Sequence, residues 1–129
     1  MLPTQRAFHA VNTELINLYW EVGSIISRKI EAAEWGDGVV GRLAEFIART
    51  QPGMRGFTHP NLFRMRQFYE TYWDHEKVSP LVRQLPWTHN LIILGQSKLP
   101  EEREFYLRLA VQEKWSKREL ERQVKGGAI

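Results

Sequence analysis

Residues 8–26 read FHAVNTELINLYWEVGSII, and the apolar side chains in this stretch recur at alternating intervals of three and four residues. This N-terminal stripe consists of Phe8, Val11, Leu15, Leu18, Val22 and Ile25, and Tyr19 and Ile26 widen it. Such spacing predicts one face of a long amphipathic helix. A repeat over about three heptads can form a coiled-coil dimer or pack within a domain. We predict that the stripe packs in the domain core.

The rest of the chain shows helical periodicity interrupted by Pro, Gly and capping residues. The first helix is predicted to hold Pro3 in its first turn and to end within residues 32–38, where Gly36 and Gly38 permit a left-handed exit. Six further helices are predicted over residues 38–50, 58–73, 79–85, 88–96, 100–114 and 116–125. Residues 92–94 could instead form a short buried strand. Residues 126–129 are expected to be a frayed or truncated end.

These segments predict an all-α fold, with a single compact helical domain over residues 1–129 and a helix-turn-helix-like unit over about residues 39–73. The chain has 129 residues, of which 43% are hydrophobic and 26% charged, which is typical of one soluble domain. It has no Cys, so disulfides and thiol chemistry are excluded. No apolar run approaches the roughly 20 residues of a membrane helix, and no leader pattern is present. A cytoplasmic protein is therefore expected.

Catalytic motifs are absent from the sequence. A metal-dependent nuclease needs clustered carboxylates and commonly a Lys two residues after an acid, and no Lys here has that spacing. The four His residues are not spaced as a helical metal pair. The cluster Asp74-His75-Glu76 fits a solvated helix end, and the GxGxxG-like run over residues 36–41 follows no strand. We predict no enzyme activity, no metal and no cofactor.

Positive charge is concentrated in the helix-turn-helix-like unit. Between Arg42 and Tyr69 there are five Arg residues and one acid, Glu45. Arg donates two parallel hydrogen bonds to phosphate or guanine. We therefore predict a nucleic-acid interface, although an ordinary solvated surface is the alternative. Its predicted residues are His59, Arg64, Arg66 and Gln67 facing the duplex, and Arg49, Arg55 and Thr58 touching phosphates.

Aromatic side chains in and around this unit have more than one interpretation. On the helical wheel, the buried arc of the third helix is predicted to contain Leu62, Met65, Tyr69, Tyr72 and Trp73. Phe63 lies outside that arc, where it could stack on a base, meet a protein partner or complete a satellite core. Farther along, Trp87 and His89 fit a packed corner in which the indole and the imidazole satisfy backbone groups, and a ligand pocket is the less favoured interpretation.

Four separated motifs give the sequence a family resemblance. They are VNTELINLYWEVG at residues 11–23, PGMRGFT at 52–58, NLFRMRQF at 61–68 and LPWTHN at 85–90. In this order they resemble the N-terminal domain of the bacterial YhcG family, and EEREFY at 101–106 with Trp115-Ser116 resembles its closing helices. The resemblance covers nearly the whole chain.

The resemblance implies a helix-turn-helix-like domain that binds DNA and that is joined, in full-length members, to a PD-(D/E)XK nuclease domain. No such second domain is found in this sequence, so a stand-alone or truncated binding module without nuclease activity is expected. The expected partners are duplex or branched DNA, a second copy of the chain, and a nuclease domain or subunit. The alternative function is a protein-interaction or dimerisation domain that recruits or pairs a nuclease.

Overall fold

A computed structural model describes residues 5–126, except for the side chains of residues 5 and 37, and every regular element in that range is a helix. These helices are α1 (Gln5–Glu31), α2 (Asp37–Thr50), α3 (His59–Tyr72), α4 (Ser79–Val82), α5 (Trp87–Gln96), α6 (Pro100–Gln112) and α7 (Lys117–Gly126). The predicted all-α fold is confirmed. Residues 92–94 lie inside α5, so the alternative strand is wrong. The predictions for Pro3 and for residues 127–129 lie outside the described residues.

The chain divides into two compact units. Of the described residues, one unit combines 5–17 with 74–126, and the other is Leu18–Trp73. The helix α1 contributes to both units because it is continuous across residue 17. The helix-turn-helix-like unit predicted over residues 39–73 lies wholly in the second unit, and the single domain over residues 1–129 stays a prediction. No helix within the described residues is long and apolar enough to cross a bilayer.

In the first unit, polar side chains fasten the beginning of α1 to the connection between α4 and α5. The Nδ2 group of Asn12 donates to the carbonyl oxygen of Leu85 at 3.0 Å. Arg83 donates from Nε to Oδ1 of Asn17 at 2.6 Å. Asn90, which is fully buried, also donates to the Leu85 carbonyl, at 3.3 Å. Buried backbone carbonyls need such partners, so these amide side chains fix the position of the connection.

A buried imidazole supports the connection between α6 and α7. His89 is buried, and its Nε2 lies 2.8 Å from the carbonyl oxygen of Trp115. Because a carbonyl oxygen only accepts, Nε2 carries the hydrogen and donates it. The prediction that this imidazole satisfies a backbone group is confirmed.

The end of α1 differs from the prediction. Ala33 has a φ of 61°, and its N–H donates to the carbonyl of Ile30 at 3.0 Å while that of Glu34 donates to Lys29 at 2.9 Å. These two bonds form a Schellman motif with Ala33 in the left-handed position. Gly36 instead has extended backbone, with φ −100° and ψ 177°, and is the N-cap of α2. The predicted glycine exit is therefore wrong, because the backbone turns three residues before Gly36.

In the second unit, α1 and α3 approach each other so closely that only a glycine fits between them. A Cβ atom added to Gly23 would lie 2.6 Å from the carbonyl carbon of Met65 and closer still to its oxygen. Next to this crossing, the Trp20 ring meets Phe68 and Tyr69 edge to face, with centroids 5.6 and 5.4 Å apart. This packing fixes α3 along α1.

The N-terminal stripe is not buried, so that prediction is wrong. Phe8, Val11, Leu15, Leu18 and Ile25 are exposed, and Val22 is half-buried. The buried apolar side chains of α1 are Ile16, Tyr19 and Ile26. At about 100° per residue, these three lie on an adjacent face of the helix, beyond the edge of the stripe that Tyr19 and Ile26 widen. The three-four periodicity identified the helix correctly, but it pointed to its outer apolar face.

Candidate nucleic-acid interface

The connection between α2 and α3 is long but anchored. It covers residues 51–58, whereas a tight helix-turn-helix turn takes about three or four. Gly56 has a φ of 89°, and a Cβ there would lie 2.6 Å from the hydroxyl oxygen of Tyr19. Asn61 donates from Nδ2 to the Gly56 carbonyl at 2.5 Å, and the ring of Phe57 meets Tyr19 edge to face at 6.1 Å. Burial raises the pKa of the Tyr19 hydroxyl above its ordinary value of 10.0.

The first turn of α3 has the cap that the sequence predicted. Thr58 accepts a hydrogen bond through Oγ1 from the backbone N–H of Asn61 at 3.3 Å. Pro60 occupies the first turn, where its missing N–H costs nothing. Thr58 is exposed, and a hydroxyl that accepts a bond can still donate one. Its O–H group can therefore donate to a phosphate oxygen.

The buried face of α3 matches the prediction in part. Leu62, Met65 and Tyr72 are buried as predicted, and Phe68, which was not predicted, is buried with them. Tyr69 is half-buried, whereas Trp73 is 60% exposed. Trp73 is the C-cap of α3. It follows the last helical residue, so the predicted buried arc ends before it.

The predicted contact residues of α3 do not form one group. His59, Arg64 and Gln67 are exposed, but Arg66 is half-buried. Side chains two positions apart on a helix point in directions about 200° apart around its axis. Arg64 and Arg66 therefore lie at opposite edges of the outer face. The structure therefore separates two arginines that the sequence analysis had placed together.

Arg66 is held by side chains of its own unit. Its Nε donates to the carboxylate of Glu70 at 2.9 Å, in an i,i+4 pair on α3. The same carboxylate oxygen accepts from the hydroxyl of Ser27 on α1 at 2.7 Å. A ligand would have to compete with Glu70 for this guanidinium group.

His59 and Phe63 form a small aromatic cluster at the beginning of α3. Their ring centroids are 4.9 Å apart and the ring planes are inclined by 44°. A Cβ added to Gly41 of α2 would lie 3.7 Å from the His59 ring, so the imidazole borders on α2. Phe63 is half-buried while His59 remains exposed, so the imidazole is the more accessible ring of the pair.

Three more arginines lie on α2 and the connection. Arg42 and Arg49 are exposed and seven residues apart, so they share the outer face of α2. Arg55 is exposed in the connection. Like Arg64, they form no ion pair within the part of the chain that the structure describes. Arg42 was not among the predicted contact residues, and its seven-residue spacing from Arg49 was the signal that could have identified it.

Comparison with protein-family models identifies the family of the chain. The sequence model of the DUF1016 N-terminal domain matches residues 3–128. The chain belongs to this family. The resemblance to the N-terminal domain of the YhcG family is thereby confirmed. Comparisons with curated proteins and with solved structures find no match.

The acidic and imidazole side chains that the structure describes in this DUF1016 N-terminal domain are not arranged to bind a metal ion. Among the described residues, no group of three or more His, Asp or Glu side chains could hold a metal ion. His75 lies with its Nε2 3.6 Å from the carboxylate of Asp74, and both side chains are open to solvent. The Asp74-His75-Glu76 cluster therefore has the solvated surroundings that the sequence suggested.

The exposed groups on α2, the connection and α3 define what this part of the DUF1016 N-terminal domain can do chemically. Guanidinium groups without an acidic partner can donate paired hydrogen bonds to phosphate oxygens. A side-chain amide such as that of Gln67 can read a base edge. We call the exposed arginines Arg42, Arg49, Arg55 and Arg64 the arginine set. Together with Gln67, they are the candidate groups for contact with a polyanion.

Proposed function

We propose that the chain is a DNA-binding module of a nuclease-family protein and that it is not catalytic by itself. The observation that supports this best is the arginine set, whose four members are exposed and have no acidic partner among the described residues. Unpaired surface guanidinium groups retain their full attraction for phosphate, and their release of counterions drives binding to DNA.

In the proposed complex, the arginine set and the hydroxyl of Thr58 contact phosphates. Gln67 and Arg64 are exposed side chains on α3 that can contact base edges, since Gln pairs with adenine and Arg with guanine. His59 contributes its exposed imidazole beside Phe63. Arg66 takes part only if it leaves Glu70. Phosphate contacts of this kind position a protein on DNA, while base contacts supply specificity.

The rest of the proposal follows the family resemblance. A nuclease domain or subunit would supply cleavage, and this chain would supply DNA contact to duplex or branched substrates. Such a module would act in the cytoplasm, where bacterial DNA lies. The family assignment supports this arrangement because the resemblance joins such domains to PD-(D/E)XK nuclease domains.

The test is an anisotropy titration of labelled duplex, single-stranded and four-way-junction DNA at about 50 and 200 mM salt. The decisive variant replaces the arginine set by Gln, at positions 42, 49, 55 and 64. The control replaces four exposed cations of the first unit by Gln: Lys98, Lys117, Arg118 and Lys125. Both variants change the formal net charge from +3 to −1.

Wild-type protein is expected to bind DNA with an affinity that falls at least about tenfold between the two salt concentrations. The arginine-set variant is expected to lose most of this binding, and the control to retain most of it. Equal losses in the two variants would show that total charge, rather than this surface, controls binding. Absence of binding by folded wild-type protein to all three DNA forms would refute the proposal.

A protein-interaction or dimerisation domain that recruits or pairs a nuclease is the second candidate function. It is favoured by a separate observation, the exposed N-terminal stripe of α1. The stripe shares no residue with the arginine set, so the two functions do not compete for the same side chains.

A further inference from the structure

The N-terminal stripe is an unusual surface for a water-exposed helix. Its five most exposed members, Phe8, Val11, Leu15, Leu18 and Ile25, have between 38% and 68% of their surface open to solvent. Single exposed apolar residues are common on proteins. A continuous row of them along one helix indicates an interaction surface.

The stripe lies beside the buried face of α1 and is distinct from it. Ile16, Tyr19 and Ile26 already provide the buried apolar face of α1, and Gly23 provides the close crossing with α3. The stripe is centred about 85° away from this face around the helix axis. α1 therefore has two apolar faces, and its own chain covers only one.

The spacing of the stripe is suited to packing against a second helix with the same heptad pattern. Phe8, Leu15 and Val22 fall at the a positions of three heptads, and Val11, Leu18 and Ile25 fall at the d positions. An unbroken a/d repeat over three heptads is the pattern by which two helices pack knobs into holes. We propose that α1 pairs with α1 of a second copy of this chain through the N-terminal stripe.

Self-pairing is favoured because the stripe is complementary to itself. In a two-fold arrangement the same patch serves both subunits, so each apolar layer meets an equivalent layer. No charged residue interrupts the a and d positions from Phe8 to Ile25. A second copy of the chain therefore supplies the apolar surface that the stripe requires.

The charges beside the stripe select a parallel arrangement. The g positions hold Glu14, Glu21 and Arg28, and the e positions hold Asn12, Tyr19 and Ile26. In a parallel pair Glu14 and Glu21 lie beside the e edge of the second copy, where Tyr19 and Ile26 are uncharged and buried in their own chain, so no like charges meet. An antiparallel pair that aligns all six layers would place Glu14 beside Glu21 of the second copy twice, and like charges in contact are unfavourable.

A groove in the first unit continues the apolar surface. Phe8, Val11 and Leu15 line one wall of a cavity of about 710 Å³, and Val111 and Trp115 lie on its other side. The beginning of the second copy's α1 would cover this groove. Pairing would therefore remove from water more apolar surface than the stripe alone.

The test measures mass in solution by sedimentation equilibrium across about 5 to 200 µM protein. Wild-type protein is expected to be a dimer whose dissociation is detectable by dilution. Leu18→Glu places a charge at a central d position of each copy and is expected to raise the dissociation constant about a hundredfold or more. The control is Leu99→Glu, which makes the same change at a 57% exposed leucine away from α1.

Each outcome decides the proposal. Monomeric wild type at the highest concentration overturns it, and so does a dimer that tolerates Leu18→Glu as well as Leu99→Glu. Circular dichroism establishes that both variants keep their helices. Because the chain has no Cys, Leu18→Cys offers a second readout: mild oxidation is expected to cross-link the parallel dimer. Cross-linking only between Val11→Cys and Val22→Cys chains would overturn the parallel arrangement.

Discussion

Arg66 donates its Nε–H to the carboxylate of Glu70 at 2.9 Å, and this pair turns one of the two outer arginines of α3 back towards its own helix. Ser27 donates to the same carboxylate oxygen, so Glu70 connects α1 and α3. Arg64, two residues earlier, is exposed and makes no such pair among the described residues. The two arginines are therefore expected to contribute differently to DNA binding.

The first prediction compares these two positions. Arg64→Ala is expected to weaken DNA binding about fivefold or more. It should also reduce the slope of log affinity against log salt concentration by about one, the change expected for one lost phosphate contact. Arg66→Ala should have a smaller effect, because Glu70 neutralises its charge. Glu70→Gln should strengthen binding, since it removes a negative charge and releases Arg66. Anisotropy titrations across salt measure all three, and a larger loss in Arg66→Ala than in Arg64→Ala would contradict this assignment.

The second prediction concerns the crossing of α1 and α3. Gly23→Ala is expected to lower the free energy of unfolding by about 2 kcal/mol or more, because the new methyl group meets the rigid backbone of Met65. Gly95→Ala in α5 is the control, since nothing lies within 4 Å of its added Cβ. The control should be neutral or stabilising by less than about 1 kcal/mol. Urea unfolding of both variants tests this, and equal effects would be inconsistent with a tight crossing.

The third prediction concerns the left-handed residue at the end of α1. Ala33→Gly should raise the free energy of unfolding by about 0.5 to 1 kcal/mol, because glycine adopts a φ of 61° without the Cβ penalty. Ala32 lacks a positive φ, so Ala32→Gly should be destabilising instead. Thermal unfolding measures both. Opposite signs at neighbouring positions are the expected result, and two destabilising changes would contradict the motif.

The fourth prediction concerns His89. His89→Leu should lower the free energy of unfolding by about 1 to 3 kcal/mol, because the Trp115 carbonyl loses its donor. His89→Gln can place an amide nitrogen near the position of Nε2 and should recover part of the loss. Chemical unfolding of the three proteins provides the comparison. If Gln is no better than Leu, packing rather than the hydrogen bond explains the role of His89.

The fifth prediction concerns alkaline pH. Burial raises the pKa of Tyr19 in the folded chain above its ordinary value of 10.0, so the unfolded chain loses this proton at a lower pH. Ionisation then favours the unfolded state, and the stabilising contribution is present below about pH 10 and lost as pH rises through the folded pKa. The stability of wild type relative to Tyr19→Phe should fall between about pH 9 and 11. A constant difference would argue against the burial of this hydroxyl.

The helices could be predicted from sequence because their ends carry local signals. Thr58 with Pro60 fixed the beginning of α3, and residues 51–53 fixed the end of α2. The exit from α1 could not be predicted in this way, because Ala33 adopts a conformation that usually requires glycine. The backbone conformation of such a residue depends on the hydrogen bonds made by its neighbours, and these bonds cannot be predicted from the residue type.

The faces of the helices were harder to predict than their ends. Periodicity identified the N-terminal stripe but could not tell an inner from an outer apolar face, since α1 has both. In the candidate site, the exposure of Arg64, Gln67 and His59 was predictable from the helical wheel. The ion pair between Arg66 and Glu70 was not predicted, although the two residues have i,i+4 spacing. The angular separation of Arg64 and Arg66 was already contained in the sequence.

The two apolar faces of α1 also make this helix sensitive to changes in length. One residue inserted between Ile16 and Leu18 would rotate the rest of the helix by about 100°. Gly23 would then leave the place where only hydrogen fits, and the Leu18 and Ile25 side chains would shift out of line with Phe8 and Leu15. A single-codon insertion there is thus expected to damage the interior and the outer surface at once, whereas substitutions can alter either one alone.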